Sequence, residues 1–185
     1  HLYVSAQLCD SLPVMLIFDS GADFLYLDKD YATMSAFKEQ PLRKYRALIG
    51  GAGNSGGQRV DMVLDSIPVR MEAYVCTISP TPIIPLREIA GRHADAMLGN
   101  NRLFEKPLEI NYRRSYLLRH DTLTEEIMQG YTRLPAVFAD QRIYLKAALR
   151  VDAEQVLSGY FLFDIRDWRR SHADRLYPTH IGFDG

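Results

Sequence analysis

The chain has 185 residues, 47% of them hydrophobic and 24% charged, a composition typical of globular proteins with a sizeable core. Its net charge is −1, from 22 basic and 23 acidic residues. Proteins that bind nucleic acid or lie on a membrane surface need an excess of basic residues, so this balance argues against both. No run of apolar residues approaches the ~20 that a membrane span needs. The length fits one domain, or one domain with part of a second unit.

Two predicted strands open the chain and lead to an acidic turn. Residues 2–8 alternate loosely and are rich in β-forming side chains. After a short polar turn, the apolar run Met15–Phe18 leads directly into Asp19, Ser20 and Gly21. Charged side chains are rarely buried unless they are paired or hydrogen-bonded. Asp19 is therefore either a carboxylate placed for catalysis or an aspartate that opens a turn through its own side chain.

A glycine-rich segment at residues 49–57 matches by letter both the G-x-G-x-x-G dinucleotide fingerprint and the G-x-S-x-G nucleophile elbow. Both motifs require a helix immediately afterwards, because a helix N-terminus must face the ligand. Residues 59–65 and 67–75 instead alternate apolar and charged or polar side chains with a period of two. They predict a long antiparallel hairpin with one buried face, and neither motif is expected to function. The glycine segment is then either a mobile hairpin tip that closes over a ligand or an ordinary surface turn.

Shorter elements fill the middle of the chain. Asp28 is placed to cap a short helix that reaches about Phe37. Met97 and Leu98 form a short buried strand that ends at Gly99. We predict three further elements: one or two helical turns at 85–90, a hairpin of strands 108–112 and 116–118, and a connecting helix or linker at 121–130.

The C-terminal part repeats the pattern of the N-terminus. Residues 142–149 align with residues 1–8, and residues 160–164 align with residues 15–19. Both copies read as strand, turn, apolar strand and aspartate, with a tyrosine at the same position of the first strand. The pattern indicates an internal duplication, unless two unrelated hairpins coincide. After the second aspartate the likeness ends, and residues 167–176 have a more helical pattern.

Cysteine and histidine patterns predict no metal site and no cofactor. Cys9 and Cys76 are too few for a cluster or a disulfide framework, and they are either paired with each other or buried thiols. The five histidines show no short ligand spacing. The chain begins at His1 rather than at a methionine, which leaves room for the removal of an upstream signal peptide or tag.

Three blocks, in this order, resemble the retropepsin-like aspartic proteases, in particular their bacterial exported members. The first resembles the D-T/S-G-A signature at the end of an apolar strand, the second the flap that covers substrate, and the third the closing apolar-apolar-glycine segment. In this sequence the blocks are Asp19-Ser20-Gly21-Ala22, Ile49-Gly50-Gly51-Ala52-Gly53 and Met97-Leu98-Gly99. Together with the helix at 101–104 and the strand at 108–112, they cover roughly residues 1–120.

The resemblance implies a mainly β fold. It implies a closed acid-protease β-barrel lobe with a few short helices at 1–120, a linker at 121–132 and the start of a repeated second lobe at 133–185. It also implies an aspartic endopeptidase, in which an aspartate pair including Asp19 activates a water against a peptide carbonyl. Ser20 and Gly21 would support the Asp19 carboxylate, and an extended peptide or protein substrate would bind under the flap. Export to the periplasm or beyond is suggested by the resemblance alone.

The second aspartate has two candidate sources. In a homodimer, Asp19 of another copy would stand across a two-fold axis. Within one chain, Asp164 would be the partner, although Asp164 lacks the Ser/Thr-Gly that should follow it. This replacement favours an alternative function, a catalytically inactive protease-fold module that binds a peptide or protein. The intact Asp19-Ser20-Gly21 favours the enzyme.

Overall fold

A computed structural model describes residues 2–51, 54–72, 74–99, 106–139, 142–152 and 154–163. Within these ranges the fold is mainly β, with four short helices. The strands are β1 (Leu2–Leu8), β2 (Leu12–Phe18), β3 (Leu25–Asp28), β4 (Lys44–Gly51), β5 (Asn54–Val63), β6 (Ile67–Met71), β7 (Tyr74–Ile78), β8 (Thr81–Ile84), β9 (Ala96–Leu98), β10 (Leu108–Asn111), β11 (Tyr116–Arg119), β12 (Ala136–Ala139), β13 (Arg142–Arg150) and β14 (Val156–Leu162). The helices are α1 (Lys29–Thr33), α2 (Ser35–Lys38), α3 (Leu86–Ala90) and α4 (Glu125–Met128).

The first nine strands form one sheet in the order β4-β5-β8-β3-β9-β2-β1-β6-β7. The predicted closed barrel is wrong, because β4 and β7 lie at opposite edges and do not pair with each other among the described residues. Lys44 and Arg46 are exposed on β4. Charged side chains of this kind protect a sheet edge from further pairing. The sheet is therefore open.

The centre of this sheet positions the Asp19 loop. Strand β2 pairs antiparallel with β1 and parallel with β9, so that Phe18 lies opposite Leu98. Strand β3, which leaves the loop, pairs antiparallel with the other side of β9, with Leu25 opposite Leu98. The strand that enters the loop and the strand that leaves it are thus held apart by β9.

Strand β2 is buried on both faces, which explains its continuous apolar run. Val14, Leu16 and Phe18 belong to the main core, which also contains Leu8 and Leu27. On the opposite face, the fully buried Ile17 packs in a smaller cluster with Leu86, Ala90, Ala94 and Met97. A strand covered on both sides has no need for polar residues at alternate positions.

The predicted cap at Asp28 is confirmed, and the helix that follows is shorter than predicted. The Asp28 carboxylate accepts hydrogen bonds from the backbone N–H groups of Asp30 and Tyr31. Helix α1 ends at Thr33, because the backbone of the next residue, Met34, is extended, with φ −59° and ψ 139°. A separate short helix, α2, then carries Phe37 into the core. The single predicted helix is therefore two.

The predicted long hairpin over residues 59–75 is wrong in its pairing. Strand β5 pairs with β4 and β8, whereas β6 pairs with β1 and β7. Glu72 has a φ of +49° and turns the chain between β6 and β7. Alternation of apolar and polar residues identified the strands correctly, but it carries no information about which strand lies beside which.

Two smaller sheets follow. Strands β10 and β11 form the predicted hairpin, and β12, β13 and β14 form a three-stranded antiparallel sheet. The predicted duplication has a structural counterpart in register: Tyr3 lies opposite Ile17, two residues before Asp19, and Tyr144 lies opposite Leu162, two residues before Asp164. The described residues do not show a second lobe, and the division at 1–120, 121–132 and 133–185 stays a prediction.

Three further properties concern the described ranges alone. No helix there is long and apolar enough to cross a membrane. No group of three or more His, Cys, Asp or Glu side chains is arranged to hold a metal ion. Cys9 and Cys76 are half-buried and form no disulfide with each other. Burial, with a smaller contribution from the neighbouring Asp10, raises the pKa of Cys9.

Candidate active site

Asp19 is a buried acid at the end of a buried strand. Its exposed fraction is only 3%, and its backbone N–H donates to the Leu98 carbonyl of β9 at 3.0 Å. Its side-chain Oδ1 accepts a hydrogen bond from the backbone N–H of Gly21 at 2.8 Å. This last bond is the one expected of an aspartate whose side chain stabilises the turn that follows it. A turn aspartate usually lies at the surface, however, so the turn interpretation alone leaves the burial of Asp19 unexplained.

Ser20 joins the Asp19 loop to the C-terminal part of the chain. Its side chain is fully buried, and its hydroxyl donates a 2.6 Å hydrogen bond to the backbone carbonyl of Phe163, 143 positions away. Phe163 directly follows β14 and donates its own N–H to the Ile143 carbonyl of β13. The hydroxyl next to Asp19 therefore contacts the peptide unit that directly precedes Asp164.

Gly99 packs against the Asp19 loop at van der Waals distance. A β-carbon at this position would lie 2.4 Å from the carbonyl oxygen of Ala22 and 2.8 Å from that of Phe24. The Gly99 N–H donates to the Phe24 carbonyl at 3.0 Å. Only glycine fits here, because both obstructing atoms are backbone. The structure thus brings the predicted closing segment, Leu98 and Gly99, against the predicted catalytic loop.

A second connection to the C-terminal sheet was missed by the sequence interpretation. Arg142, at the start of β13, donates to both carboxylate oxygens of Asp23, each at 3.1 Å. Nearby Tyr26 is half-buried. Its pKa is raised to about 12 by burial, with the Asp23 charge adding to the effect. Asp23 lies in the predicted loop, but a lone arginine more than a hundred residues later carries no signal that would pair it with Asp23.

The predicted flap residues lie elsewhere in the sheet. Ile49, Gly50 and Gly51 form the end of β4 in the β4–β5 hairpin, with a register irregularity between Ile49 and Gly51. Four strands separate β4 from β2 in the sheet order. Three of the predicted site residues, Ala52, Gly53 and Asp164, lie outside the described residues.

Three comparisons were made with known proteins, and one of them finds similar structures. No family model matches the chain, and no curated protein matches it. Among similar solved structures, the retroviral protease-like domain of Ddi1 from Leishmania major is 16% identical, with a TM-score of 0.42 over 65% of this chain and 88% of that one. A retropepsin-like aspartic protease from Rickettsia conorii is also 16% identical, with a TM-score of 0.39 over 59% of this chain and 75% of that one. These structural neighbours are retropepsin-like protease domains.

Proposed function

We propose that this chain is an aspartic endopeptidase in which Asp19 and Asp164 form the carboxylate pair. The observation that carries the proposal is the hydrogen bond from the Ser20 hydroxyl to the Phe163 carbonyl. Phe163 directly precedes Asp164 in the chain, so the Ser20 hydroxyl contacts the residue next to the second aspartate. Ser20 is in turn bonded to Asp19. One hydrogen bond thus links the residues next to the two aspartates.

The chemistry follows from placing two carboxylates so close together. Like charges within hydrogen-bond reach do not both ionise easily, so the two groups share one proton and titrate as a pair. The ionised member takes a proton from a water that attacks the peptide carbonyl, while the protonated member donates a hydrogen bond to the carbonyl oxygen. The Gly21 N–H, which already binds Oδ1 of Asp19, would hold that carboxylate in place during the reaction.

Two contacts favour a partner aspartate within the chain over one from a second copy. The Ser20–Phe163 hydrogen bond and the Arg142–Asp23 ion pair both join the Asp19 loop to the β13–β14 hairpin of the same molecule. In a homodimer the space opposite Asp19 would have to hold the same loop of another copy. Here the end of β14 already lies beside that loop.

A second candidate function, peptide binding without turnover, is favoured by one observation. Residue 165 is isoleucine, whose side chain has no hydroxyl to donate. The hydrogen bond that Ser20 makes to Phe163 therefore has no reciprocal from the residue after Asp164. A site supported on one side alone would hold an extended peptide even if it did not hydrolyse the peptide.

Cleavage of a mixed peptide library between pH 3 and pH 7 tests the proposal. We expect Asp19→Asn and Asp164→Asn each to abolish cleavage and Ser20→Ala to reduce it severalfold. Asp61→Asn, at an exposed carboxylate on β5, is the matched control and should cleave normally. Cleavage that survives Asp164→Asn in a dimeric protein would contradict the in-chain pair. No cleavage at any pH, with peptide binding retained, would favour the binding module.

A further inference from the structure

A cavity of about 310 Å³ lies between the β10–β11 hairpin and the segment that follows it. Its wall is largely aliphatic and includes Leu123, Ile127, Met128 and Leu134. Sites that bind small molecules combine a mostly apolar wall with a few convergent polar groups, and this volume is at the lower end of their range. The residues that line the cavity do not belong to the candidate active site. The cavity therefore has the size and composition of a separate site for a small ligand.

The charge at the polar end of the cavity comes from Glu109. Its side chain is only 18% exposed, and its two carboxylate oxygens accept hydrogen bonds from the Tyr116 hydroxyl and from His120 Nε2. A further hydrogen bond from Tyr131, which also lines the cavity, helps to hold the pKa of Glu109 below its usual range. The two hydroxyl donors are neutral, so they stabilise the ionised carboxylate without cancelling its charge.

Glu109 has little counter-charge within the described part of the chain. Its ion pair there is with His120, and a histidine is positive only when it is protonated. The nearby Lys106 binds Asp121 instead. Arg133 also lines the cavity, but it is exposed and forms no ion pair with Glu109. Because a largely buried charge is normally paired, the surroundings of Glu109 favour a cation in the cavity.

The polar end also has hydrogen-bond acceptors to offer a ligand. A carboxylate has about four acceptor positions, and the donors Tyr116, His120 and Tyr131 use three of those on Glu109. A tyrosine hydroxyl that donates its proton to a carboxylate keeps its own lone pairs, so the Tyr131 oxygen is a second acceptor. Two acceptors beside a negative charge suit a ligand group that is both positively charged and rich in N–H donors.

We propose that this cavity binds an alkylammonium group, with the cation at Glu109 and the hydrocarbon chain against the aliphatic wall. An ammonium group carries three N–H donors, which match the acceptors of Glu109 and Tyr131. The half-buried Ile127 and Met128 of α4 supply apolar contact, and the flexible methionine side chain adapts to the shape of the chain. The group belongs either to a free amine or to a lysine side chain of a peptide, which present the same chemistry.

Calorimetric titration of the full chain with n-hexylamine tests the proposal at pH 8, above the usual titration range of histidine. We expect one site, with an affinity at least about tenfold higher than for n-hexanol, which has the same chain without the charge. Glu109→Gln should lower the affinity for hexylamine about tenfold, because the carboxylate is lost. Glu39→Gln, at an exposed carboxylate far from the cavity in sequence, is the matched control and should bind hexylamine normally.

Methyl NMR of the unaltered chain locates the site without a substitution that could unfold it. With ¹³C-labelled methionine methyl groups, the Met128 signal should shift and saturate as hexylamine is added, while the signal of the exposed Met34 should not move. A short blocked peptide with lysine, compared with the same peptide carrying norleucine, distinguishes the two sources. Lysine is the source if its peptide saturates the Met128 shift at a lower concentration than hexylamine does, and a free amine is the source if the order is reversed.

Three outcomes would overturn the proposal. The first is that hexanol binds as tightly as hexylamine, since the charge of Glu109 would then play no part. The second is that hexanoate binds more tightly than hexylamine, because Arg133 would then hold an anionic ligand. The third is that hexylamine leaves the Met128 signal unchanged. None of these readouts depends on peptide cleavage, so the proposal stands or fails separately from the proposed function.

Discussion

The guanidinium of Arg142 donates two hydrogen bonds of 3.1 Å to the carboxylate of Asp23, although the two residues lie 119 positions apart in the sequence. Arg142 begins β13, and Asp23 ends the loop that starts at Asp19. This is the bidentate arrangement, in which two N–H groups of one guanidinium each bind one oxygen of the same carboxylate. The ion pair therefore fixes the C-terminal sheet both in distance and in orientation relative to the Asp19 loop.

Arg142→Gln is expected to lower the free energy of unfolding by about 1 kcal/mol, because the pair is partly exposed and screened by water. Arg142→Lys should lose part of this amount, since lysine keeps the charge but not the fork. Urea unfolding followed by circular dichroism measures the loss, with Arg150→Gln on the same strand as control. If the effects of Arg142→Gln and Asp23→Asn simply add in the double variant, the two residues are not coupled and the ion pair contributes nothing.

Gly99→Ala is expected to destabilise the chain by roughly 3 kcal/mol or more, because the new methyl group would meet backbone atoms that cannot move aside. The obstructing atoms are the carbonyl oxygens of Ala22 and Phe24, at 2.4 and 2.8 Å. Thermal unfolding provides the measurement. Gly159→Ala is the control, since a β-carbon at Gly159 meets nothing within 4 Å among the described residues. Equal losses from the two substitutions would show that Gly99 is not packed as described.

The local features of the fold were predictable from the sequence, and its long-range pairings were not. The run Met15–Phe18, the Asp28 cap and the short strand before Gly99 each have a signal within a few residues, and each is present in the structure. The placement of β9 beside β2, and the contact of Ser20 with Phe163, join segments about eighty and 143 positions apart. Apolar patterning says which side of a strand is buried but not which strand covers it. The long hairpin predicted over residues 59–75 was wrong for that reason.

Glu109 makes the contacts between the β10–β11 hairpin, His120 and Tyr131 sensitive to acid. Its carboxylate accepts hydrogen bonds from the Tyr116 hydroxyl and from His120 Nε2, at 2.5 and 3.0 Å. Tyr116, followed by His120 and Tyr131, holds the pKa of Glu109 below its usual range. A carboxylate with a lowered folded-state pKa stabilises the protein above its unfolded pKa of about 4.3, and this contribution is lost as the pH falls through the folded value.

Glu109→Gln should therefore reduce stability at pH 7 and reduce it much less at pH 3, so that the melting temperatures of variant and parent converge on acidification. Melting curves from pH 7 to pH 3 measure the difference. Glu126→Gln, at an exposed position in α4, serves as the control and should give curves parallel to the parent. A constant offset between Glu109→Gln and the parent at every pH would mean that Glu109 does not titrate in this range. The result also sets the acid limit for the cleavage assay.

Arg87 provides the counter-charge for the buried carboxylate of Asp28. Asp28, whose side chain is 1% exposed, lies 3.4 Å from Arg87 Nε, and its Oδ2 accepts from the Arg87 backbone N–H at 3.0 Å. Arg87 Nη2 also binds Asp95 at 2.6 Å, and Asp95 in turn accepts from the backbone N–H of Met15 in β2. This network links α3 and the approach to β9 with the strand that carries Asp19.

Arg87→Met is expected to cost about 2–4 kcal/mol, because it leaves the Asp28 carboxylate buried without a counter-charge. Adding Asp28→Asn should recover part of this loss, since a neutral amide oxygen still accepts the helix-capping hydrogen bonds. Lys29→Met removes the neighbouring exposed ion pair with Glu88, at 52% and 65% exposure, and should change stability little. Urea unfolding of the parent, the two single variants and the double variant measures these differences in the free energy of unfolding. If Arg87→Met costs no more than Lys29→Met, Asp28 is stabilised by its backbone donors alone and Arg87 does not neutralise it.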